Sequence, residues 1–513
     1  MGKNRMFLMA MAIMVSGATF AGGILTNTNQ SVSFLRNPAH DAYIGIDGIY
    51  TNPAGVIFLG DGFHLGFNWQ YARQTRTITT FNPDFALGLR NNGYNQENGK
   101  EFEGVANAPF IPSIQAAYNK GNWSFQGSIA ITGGGGKCEF SNGIGSFESA
   151  VGAIASSLKP LGATGYDVDG YMRGKQFYIG FTLGASYKIT ENLSVYGGAR
   201  LLYGVASYKA KLNNIMVNTA DGAVPFGTFL DNANTKIAGG IMQYANGISQ
   251  LEAGIAQYTA AGVPAPEELT QKLAEAQAGK AQLEGTQQSL QTLEVYREGV
   301  SLMSDQTGVG IAPIVGIDYK VGNFNFAAKY EFKTRMRMKN SSTVKEAHAI
   351  DAVNKFRDGT SVPEDQPALF TAGAQWSVLP NVRVSAGYHL FFDKQAHWYN
   401  HDEKKLDGNT WEVNGGVEWD VTDKLQVSGG LQKTNYGLSD EYMNDMSFVV
   451  SSYTFGLGVG YKVTDKVKVN AAYFQTNYDT YNQEVAPTAT NHTTHNDFTR
   501  TNKVFGLGVE LTI

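Results

Sequence analysis

From Phe505 to Ile513 the chain alternates without a slip. Phe505, Leu507, Val509, Leu511 and Ile513 share one face, and Gly506, Gly508, Glu510 and Thr512 share the other. Val382–Leu390 repeats the pattern, with Val382, Val384, Ala386, Tyr388 and Leu390 opposite Arg383, Ser385, Gly387 and His389. In Phe177–Tyr187 a third such run sets Phe177, Ile179, Phe181 and Leu183 against Tyr178, Gly180, Thr182 and Gly184. Period two is the signature of a strand with two unlike faces. A soluble antiparallel sheet alternates too. The strands these runs belong to, however, reach about a dozen residues or more, beyond the usual 5–6 and enough to cross a membrane at a tilt. The pattern therefore predicts spanning strands with one face in lipid and the other in a polar interior.

Six connections share one form, an aromatic followed by a tight polar turn: YNKGNW (Tyr118–Trp123), YKITENL (Tyr187–Leu193), YKVGNF (Tyr319–Phe324), WSVLPNV (Trp376–Val382), WDVTDKL (Trp419–Leu425) and YKVTDKV (Tyr461–Val467). Between the strand pairs lie much longer segments. Short turns on one side, long loops on the other and aromatics at the interface are the pattern of outer-membrane barrels. An open sheet edge in lipid would leave backbone groups unpaired, so the strands must close on themselves. Fourteen strands are predicted, from Gly62–Arg73 through a third at Asn122–Gly133 and a seventh at Asn323–Lys339 to Phe498–Ile513. An even count puts both chain ends on the short-turn, periplasmic side. The fold class expected is an all-β, 14-stranded antiparallel transmembrane barrel spanning 62–513.

The chain opens with MGKNRMFLMAMAIMVSGATFAGG. Lys3 and Arg5 precede a short apolar run and then small residues, so 1–21 reads as a secretory signal peptide cleaved between Ala18 and Gly22. The run is shorter than the roughly 20 residues of a spanning helix. Cys138 is the only cysteine, which excludes an intrachain disulfide. A net charge of -5 without a basic stripe predicts no nucleic-acid partner. No cofactor and no metal are expected.

The longest loop, 213–306, carries an apolar stripe at Ile237, Ile241, Tyr244, Ile248, Leu251, Ile255 and Tyr258. After a break at Gly262–Pro266, Glu267 and Glu268 open a second helical pattern. A helical hairpin outside the barrel is predicted, its stripe either packing the two helices together or left partly open to apolar ligands. A shorter helix is predicted over Gly145–Leu158. Just before it, Gly133, Gly134, Gly135 and Gly136 interrupt the third strand. Four glycines pack nothing and mark either a flexible strand end or a kink.

Residues 22–61 precede the first strand and mix apolar residues (Ile24, Leu25, Phe34, Leu35) with polar ones and the turn Asn52-Pro53-Ala54-Gly55. A 14-stranded barrel is too wide for its own side chains to fill, and inward glycines leave room. The segment is therefore expected to fold into the bore as a plug. The asparagine-rich start, Asn52-Pro53-Ala54 ahead of strand one, the strand count and the loop helices together resemble the FadL family of outer-membrane transporters for long-chain fatty acids and other hydrophobic compounds. Asn-Pro-Ala also occurs at Asn37-Pro38-Ala39, and the later copy fits the family's hatch better. The resemblance implies that Asn52, Pro53, Ala54 and Gly55 belong to a gating hatch. It also implies that Gly133–Gly136 is a third-strand kink opening the wall sideways.

The function expected is a passive outer-membrane channel for hydrophobic molecules, foremost long-chain fatty acids, acting as a monomer in contact with outer-membrane lipid. Parity turns Arg200, Lys329 and Arg383 inward, where they would either meet a ligand carboxylate or pair with inward Glu331, Glu412 and Glu418. Tyr178, Phe391 and Phe474 are the aromatics expected to line an apolar pocket. A diffusion pore for small polar solutes and a surface adhesin are the rival readings. No nucleophile–base–orienter set argues for an enzyme.

Overall fold

The computed structural model describes residues 23–89, 92–446, 448–487 and 492–513, with backbone alone at 351 and 352; the leader expected over 1–21 lies outside the described residues. Fourteen antiparallel strands form a closed barrel: β1 Gly62–Phe81, β2 Lys100–Lys120, β3 Trp123–Phe140, β4 Gly165–Thr190, β5 Leu193–Thr219, β6 Val300–Val321, β7 Phe324–Glu331, β8 Leu369–Leu379, β9 Val382–Phe391, β10 Trp411–Asp420, β11 Leu425–Asn435, β12 Ser452–Thr464, β13 Val467–Tyr478 and β14 Thr494–Thr512. Each strand pairs with its sequence neighbour. The ring closes where β1 meets β14, from His64↔Thr512 to Phe81↔His495. At that joint Phe63 N donates to Ile513 O at 3.0 Å and Ile513 N to Phe63 O at 2.8 Å, so strand one begins where strand fourteen ends.

The pleat sorts the side chains as the alternation requires. In β14 Phe505, Leu507 and Val509 lie on the outer surface, while Asn502, Val504, Gly506 and Gly508 are buried. In β5 Leu201 and Tyr203 face out and Ser194, Arg200 and Leu202 face in. This is a soluble protein turned inside out: apolar outside, polar within. The six predicted short turns join β2–β3, β4–β5, β6–β7, β8–β9, β10–β11 and β12–β13. All long connections leave from the opposite rim.

Several strands differ in extent from the prediction, strand one by running on to Phe81, and two of the differences bear on the wall. β3 does not stop at Gly133 but runs through the glycines to Phe140. The glycines are held as strand because β4 still flanks them, although the register slips between Ile131 and Gly133 and again between Gly133 and Gly136. The seventh strand is shorter than Asn323–Lys339. The β6–β7 ladder ends at Ile314↔Glu331, and Arg337–Ser342 forms a separate short strand on β6. Phe332 N still donates to Pro313 O at 3.0 Å, but proline has no N–H for the return bond, and the ladder breaks there.

The long-rim loops carry their own structure. The expected loop 213–306 is narrower, since β5 runs to Thr219 and β6 starts at Val300. It holds α1 (Phe226–Ala260) and α2 (Glu267–Leu293), packed as a hairpin with Tyr244 against Gly279 and Leu283 against Gly240. At 35 residues, α1 is about 52 Å long. Its foot is buried through Phe226, Phe229, Leu230 and Ile237, and Arg297 clamps it by ion pairs to Asp231 at 2.7 Å and Glu294 at 2.6 Å. A further helix over Gly145–Ser157 is buried on almost every side. Asp445, from the β11–β12 loop, accepts the Ser146 N–H at 2.6 Å near its N-terminus, and burial raises the Asp445 carboxyl above its ordinary range.

Candidate functional site: the N-terminal segment and the interrupted wall

With 14 strands at 4.8 Å spacing and a tilt near 40°, the barrel is about 28 Å across between backbones. Residues 23–57 fill that space and are almost all buried. Their first regular element is a single helical turn, Val32–Arg36. Ser31 caps it, accepting from Phe34 N at 3.0 Å. Val32, Phe34 and Leu35 pack on inward Ala72, Ala472, Phe474 and Val504, and Phe34 lies 6.3 Å from the Phe474 ring. Arg36 is fully buried and donates to Gln426 at 3.0 Å. His40 and Asp47 make an ion pair at 2.8 Å within the segment. Burial alone would depress His40, but the Asp47 carboxylate outweighs it and the pKa is raised. Burial likewise opposes ionisation of Asp47, but His40 prevails and lowers it.

The turn at Asn52-Pro53-Ala54-Gly55, together with Val56 after it, is bolted to five consecutive strands. Asn52 Oδ1 accepts the Gly55 N–H at 3.1 Å, which closes the turn, and its Nδ2 donates to Asp318 of β6 at 2.6 Å. Pro53 O accepts from Gln126 of β3 at 2.9 Å and Ser186 of β4 at 2.7 Å. Ala54 O accepts from Ser194 of β5 at 2.6 Å, and Val56 O from Asn119 of β2 at 2.9 Å. Ala54 packs on Tyr196 and Ile314. A compact turn with outward carbonyls is what proline and asparagine supply here. The first Asn-Pro-Ala copy sits elsewhere, with Asn37 and Pro38 against Gly416 and Gly430.

The wall itself is interrupted beside this segment. β2 and β3 pair from Ser113↔Ala130 to Lys120↔Trp123, and again from Gly104↔Phe140 to Ala106↔Cys138. Between these blocks the ladder skips residues 107–112 of β2 and 131–137 of β3. Pro109 and Pro112 withdraw two N–H donors from the stretch. Behind the interruption runs the polar stretch Thr26–Gln30. Thr26 bridges Gly133, and Asn27 N donates to Thr132 O at 2.9 Å. Asn27 Nδ2 donates to Gly134 O at 3.1 Å. Asn29 O accepts from Gln70 at 2.8 Å, and Gln30 O from Ser113 at 2.6 Å. Five residues thus seal the interrupted seam from within.

The glycines make this contact possible. A side chain on Gly133 would collide with Leu25 O. Gly134 has φ +84 and lies against the Gln176 backbone of β4. Gly134→Val should therefore destabilise the barrel by about 1–3 kcal/mol. A lower temperature for the shift from folded to unfolded mobility on heated electrophoresis gels checks this; an unchanged temperature contradicts it.

Arg200, Lys329, Arg383, Tyr178, Phe391 and Phe474 all turn toward the interior, but they do not converge on one pocket. Arg200 pairs with Glu331 and lies 4.8 Å from the Tyr50 ring centroid. Lys329 lies 4.6 Å from the same centroid and donates to Tyr50 O at 2.6 Å. Tyr50 OH in turn donates to Asn27 O at 2.8 Å, linking the two cations to the seal. Arg383 is remote from them. It pairs with Asp420 at 2.8 Å and Glu418 at 3.4 Å and lines a cavity of about 320 Å³ with Tyr43, Ile44 and Lys468. Tyr178 accepts from Gln176 at 2.7 Å and belongs to an apolar cluster with Ile24, Leu25, Leu202, Met336 and Met338. Phe391 faces Gly23, and Phe474 braces Phe34. A buried chain that period-two reading misses joins Asp41 of the segment to His389 at 2.9 Å and His389 to Glu412 at 2.7 Å. Only His389 and Glu412 lie on strands, and nothing local in the sequence brings Asp41 to them.

No family profile and no curated protein sequence matches the chain. Solved structures do. A FadL homologue of Pseudomonas aeruginosa superposes with a TM-score of 0.58 at 13% identity, over 97% of this chain and 100% of that one. The chain has the FadL fold. A TodX deltaS2S3 mutant, a monoaromatic hydrocarbon channel, shares the FadL fold with a TM-score of 0.53 at 13% identity, over 93% of this chain and 98% of that one. The toluene transporter TodX of Pseudomonas putida is also matched, at 12% identity and a TM-score of 0.49, over 97% and 96%. At these identities the likeness is one of fold.

Proposed function

We propose that the protein is a passive outer-membrane channel for hydrophobic small molecules, long-chain fatty acids foremost, which leave sideways between β2 and β3. The observation that carries this reading is the interrupted seam sealed from inside by Thr26–Gln30. A hydrophobic molecule gains free energy by entering the bilayer core, so no energy source is needed. The apolar cluster around Ile24, Leu25 and Tyr178 reaches the glycine kink and gives cargo a dry approach to the seam. Residues 22–61 then act as a hatch, with Asn52–Gly55 as its fixed anchor and Thr26–Gln30 as its moving part.

Gating follows from the Tyr50 link. A ligand carboxylate reaching Arg200 and Lys329 would compete with Glu331 and with Tyr50 O, loosening the Tyr50–Asn27 bond. Ligand binding then biases the segment toward its displaced conformer. One fold neighbour is a FadL homologue and another a monoaromatic hydrocarbon channel, which supports hydrophobic cargo. A polar-solute pore fits less well, because the bore is filled. No hydrolytic site enters this reading.

Uptake of a labelled long-chain fatty acid, labelled toluene and a labelled disaccharide, compared in cells with and without the protein, tests the proposal. The expected result is slower entry of one or both hydrophobic probes without the protein and equal entry of the disaccharide. Equal entry of both hydrophobic probes in the two strains contradicts it.

A further inference from the structure

The loop between β9 and β10 holds a histidine-rich turn that the channel reading does not use. It reads His397-Trp398-Tyr399-Asn400-His401-Asp402-Glu403. One ligand atom from each of His397, His401 and Glu403 lies within 4.8 Å of the others. His401 Nδ1 stands 3.1 Å from Glu403 Oε1, and the two imidazole centroids are 4.9 Å apart. Two ligands of a tetrahedral zinc ion, each at about 2.0 Å, stand about 3.3 Å apart. The His401–Glu403 edge already has nearly that length.

Two independent features show that the turn is built rather than accidental. Asn400 and His401 both take left-handed backbone conformations, φ 54 and φ 56, a conformation uncommon outside glycine. That pair of residues turns His401 back toward His397. Glu403 is buried, and its second oxygen accepts the Trp398 N–H at 3.0 Å, which fixes the carboxylate and leaves Oε1 toward the histidines. An anchored carboxylate is the outer-shell support that metal ligands need. The adjacent Asp402 is held by Lys405 at 2.7 Å and does not compete.

We propose that His397, His401 and Glu403 form a binding site for a first-row divalent transition metal, zinc above all, on the long-loop rim. Two imidazoles and one carboxylate select such metals over magnesium or calcium. Three protein ligands leave a fourth position for water. The bound metal would staple this loop over the segment below it. Trp398 Nε1 donates to Asp365 O at 2.9 Å, and Gln366 accepts from Thr26 at 3.3 Å, so the staple lies two contacts from the inner seal.

The test uses the whole protein, free of any polyhistidine tag, in detergent micelles after chelator treatment. Zinc chloride alone is titrated in competition with a chromophoric chelator. One zinc per chain is expected in the unaltered protein. His397→Ala, His401→Gln and Glu403→Gln should each weaken binding by more than about 100-fold, since they remove a direct ligand rather than a supporting group. Glu403→Gln keeps an acceptor for Trp398, His401 is exposed, and heated-gel mobility verifies that each variant is folded. His495→Ala, which alters the histidine beside Glu484 and Asp497, should leave zinc binding unchanged. Absence of stoichiometric binding, or affinity undiminished from the unaltered protein in the folded Glu403→Gln and His401→Gln variants, overturns the proposal.

Discussion

Replacing Glu331 with leucine should release the N-terminal segment from the wall and cost about 3–5 kcal/mol, the range for a buried ion pair that loses one partner. Arg200 and Lys329 both face the Tyr50 ring, and Glu331 is the carboxylate paired with Arg200. Without it two cations confront each other across one aromatic side chain in a bore closed to bulk water. The segment holding Tyr50 is the element free to yield, because the strands are fixed by their ladders. Two measurements report this. The temperature of the mobility shift on heated gels should fall. Trypsin should also gain access to Arg36, which is fully buried. Adding Arg200→Met to Glu331→Leu should restore protection, since replacing a whole buried pair by apolar groups is often neutral or stabilising. Unchanged mobility and an intact Arg36 bond in Glu331→Leu would show that this network does not hold the segment.

The barrel was legible because its two solvents are so unlike. Lipid outside and polar groups inside force strict alternation, and each strand from Gly62 to Thr512 carries it. The short turns were equally plain, since Gly121-Asn122 and Gly322-Asn323 punctuate the pattern between aromatics. Strand ends were less so. The glycines at 133–136 carry no side-chain pattern, and only the flanking β4 shows that β3 continues. Pro109, Pro112 and Pro313 mark the two broken seams, yet a proline in a strand says nothing about which neighbour it deserts.

The interior is another matter. Parity turned Arg200, Lys329 and Tyr178 inward, but the partners come from far along the chain. Asn52 meets Asp318, and Asp41 meets His389, across 266 and 348 residues. No local periodicity encodes such pairs. The stretch Thr26–Gln30 reads as an ordinary polar linker, and its place behind the seam follows from tertiary geometry alone. The spacing His397-x-x-x-His401-x-Glu403 was visible in the sequence, but only the left-handed turn at Asn400 and His401 brings the ligands together.

A disulfide between Asn27→Cys and Thr132→Cys, made with Cys138→Ala to remove the native thiol, should hold the seal shut. The two residues are neighbours in the short antiparallel contact that Thr26 and Gly133 begin. Facing residues in such a contact have Cα atoms about 4.5–5.5 Å apart, inside the range a disulfide spans. The bond ties the stretch proposed to move to the edge of the seam through which cargo is proposed to leave. The decisive measurement is uptake of labelled long-chain fatty acid and labelled toluene by cells carrying this variant, oxidised and then reduced, with gel mobility confirming the cross-link. Entry at the rate of cells lacking the protein when oxidised, recovering on reduction, is the result predicted. Equal entry in the two redox states, with the cross-link confirmed, would contradict a route that requires Thr26–Gln30 to move off the β2–β3 seam.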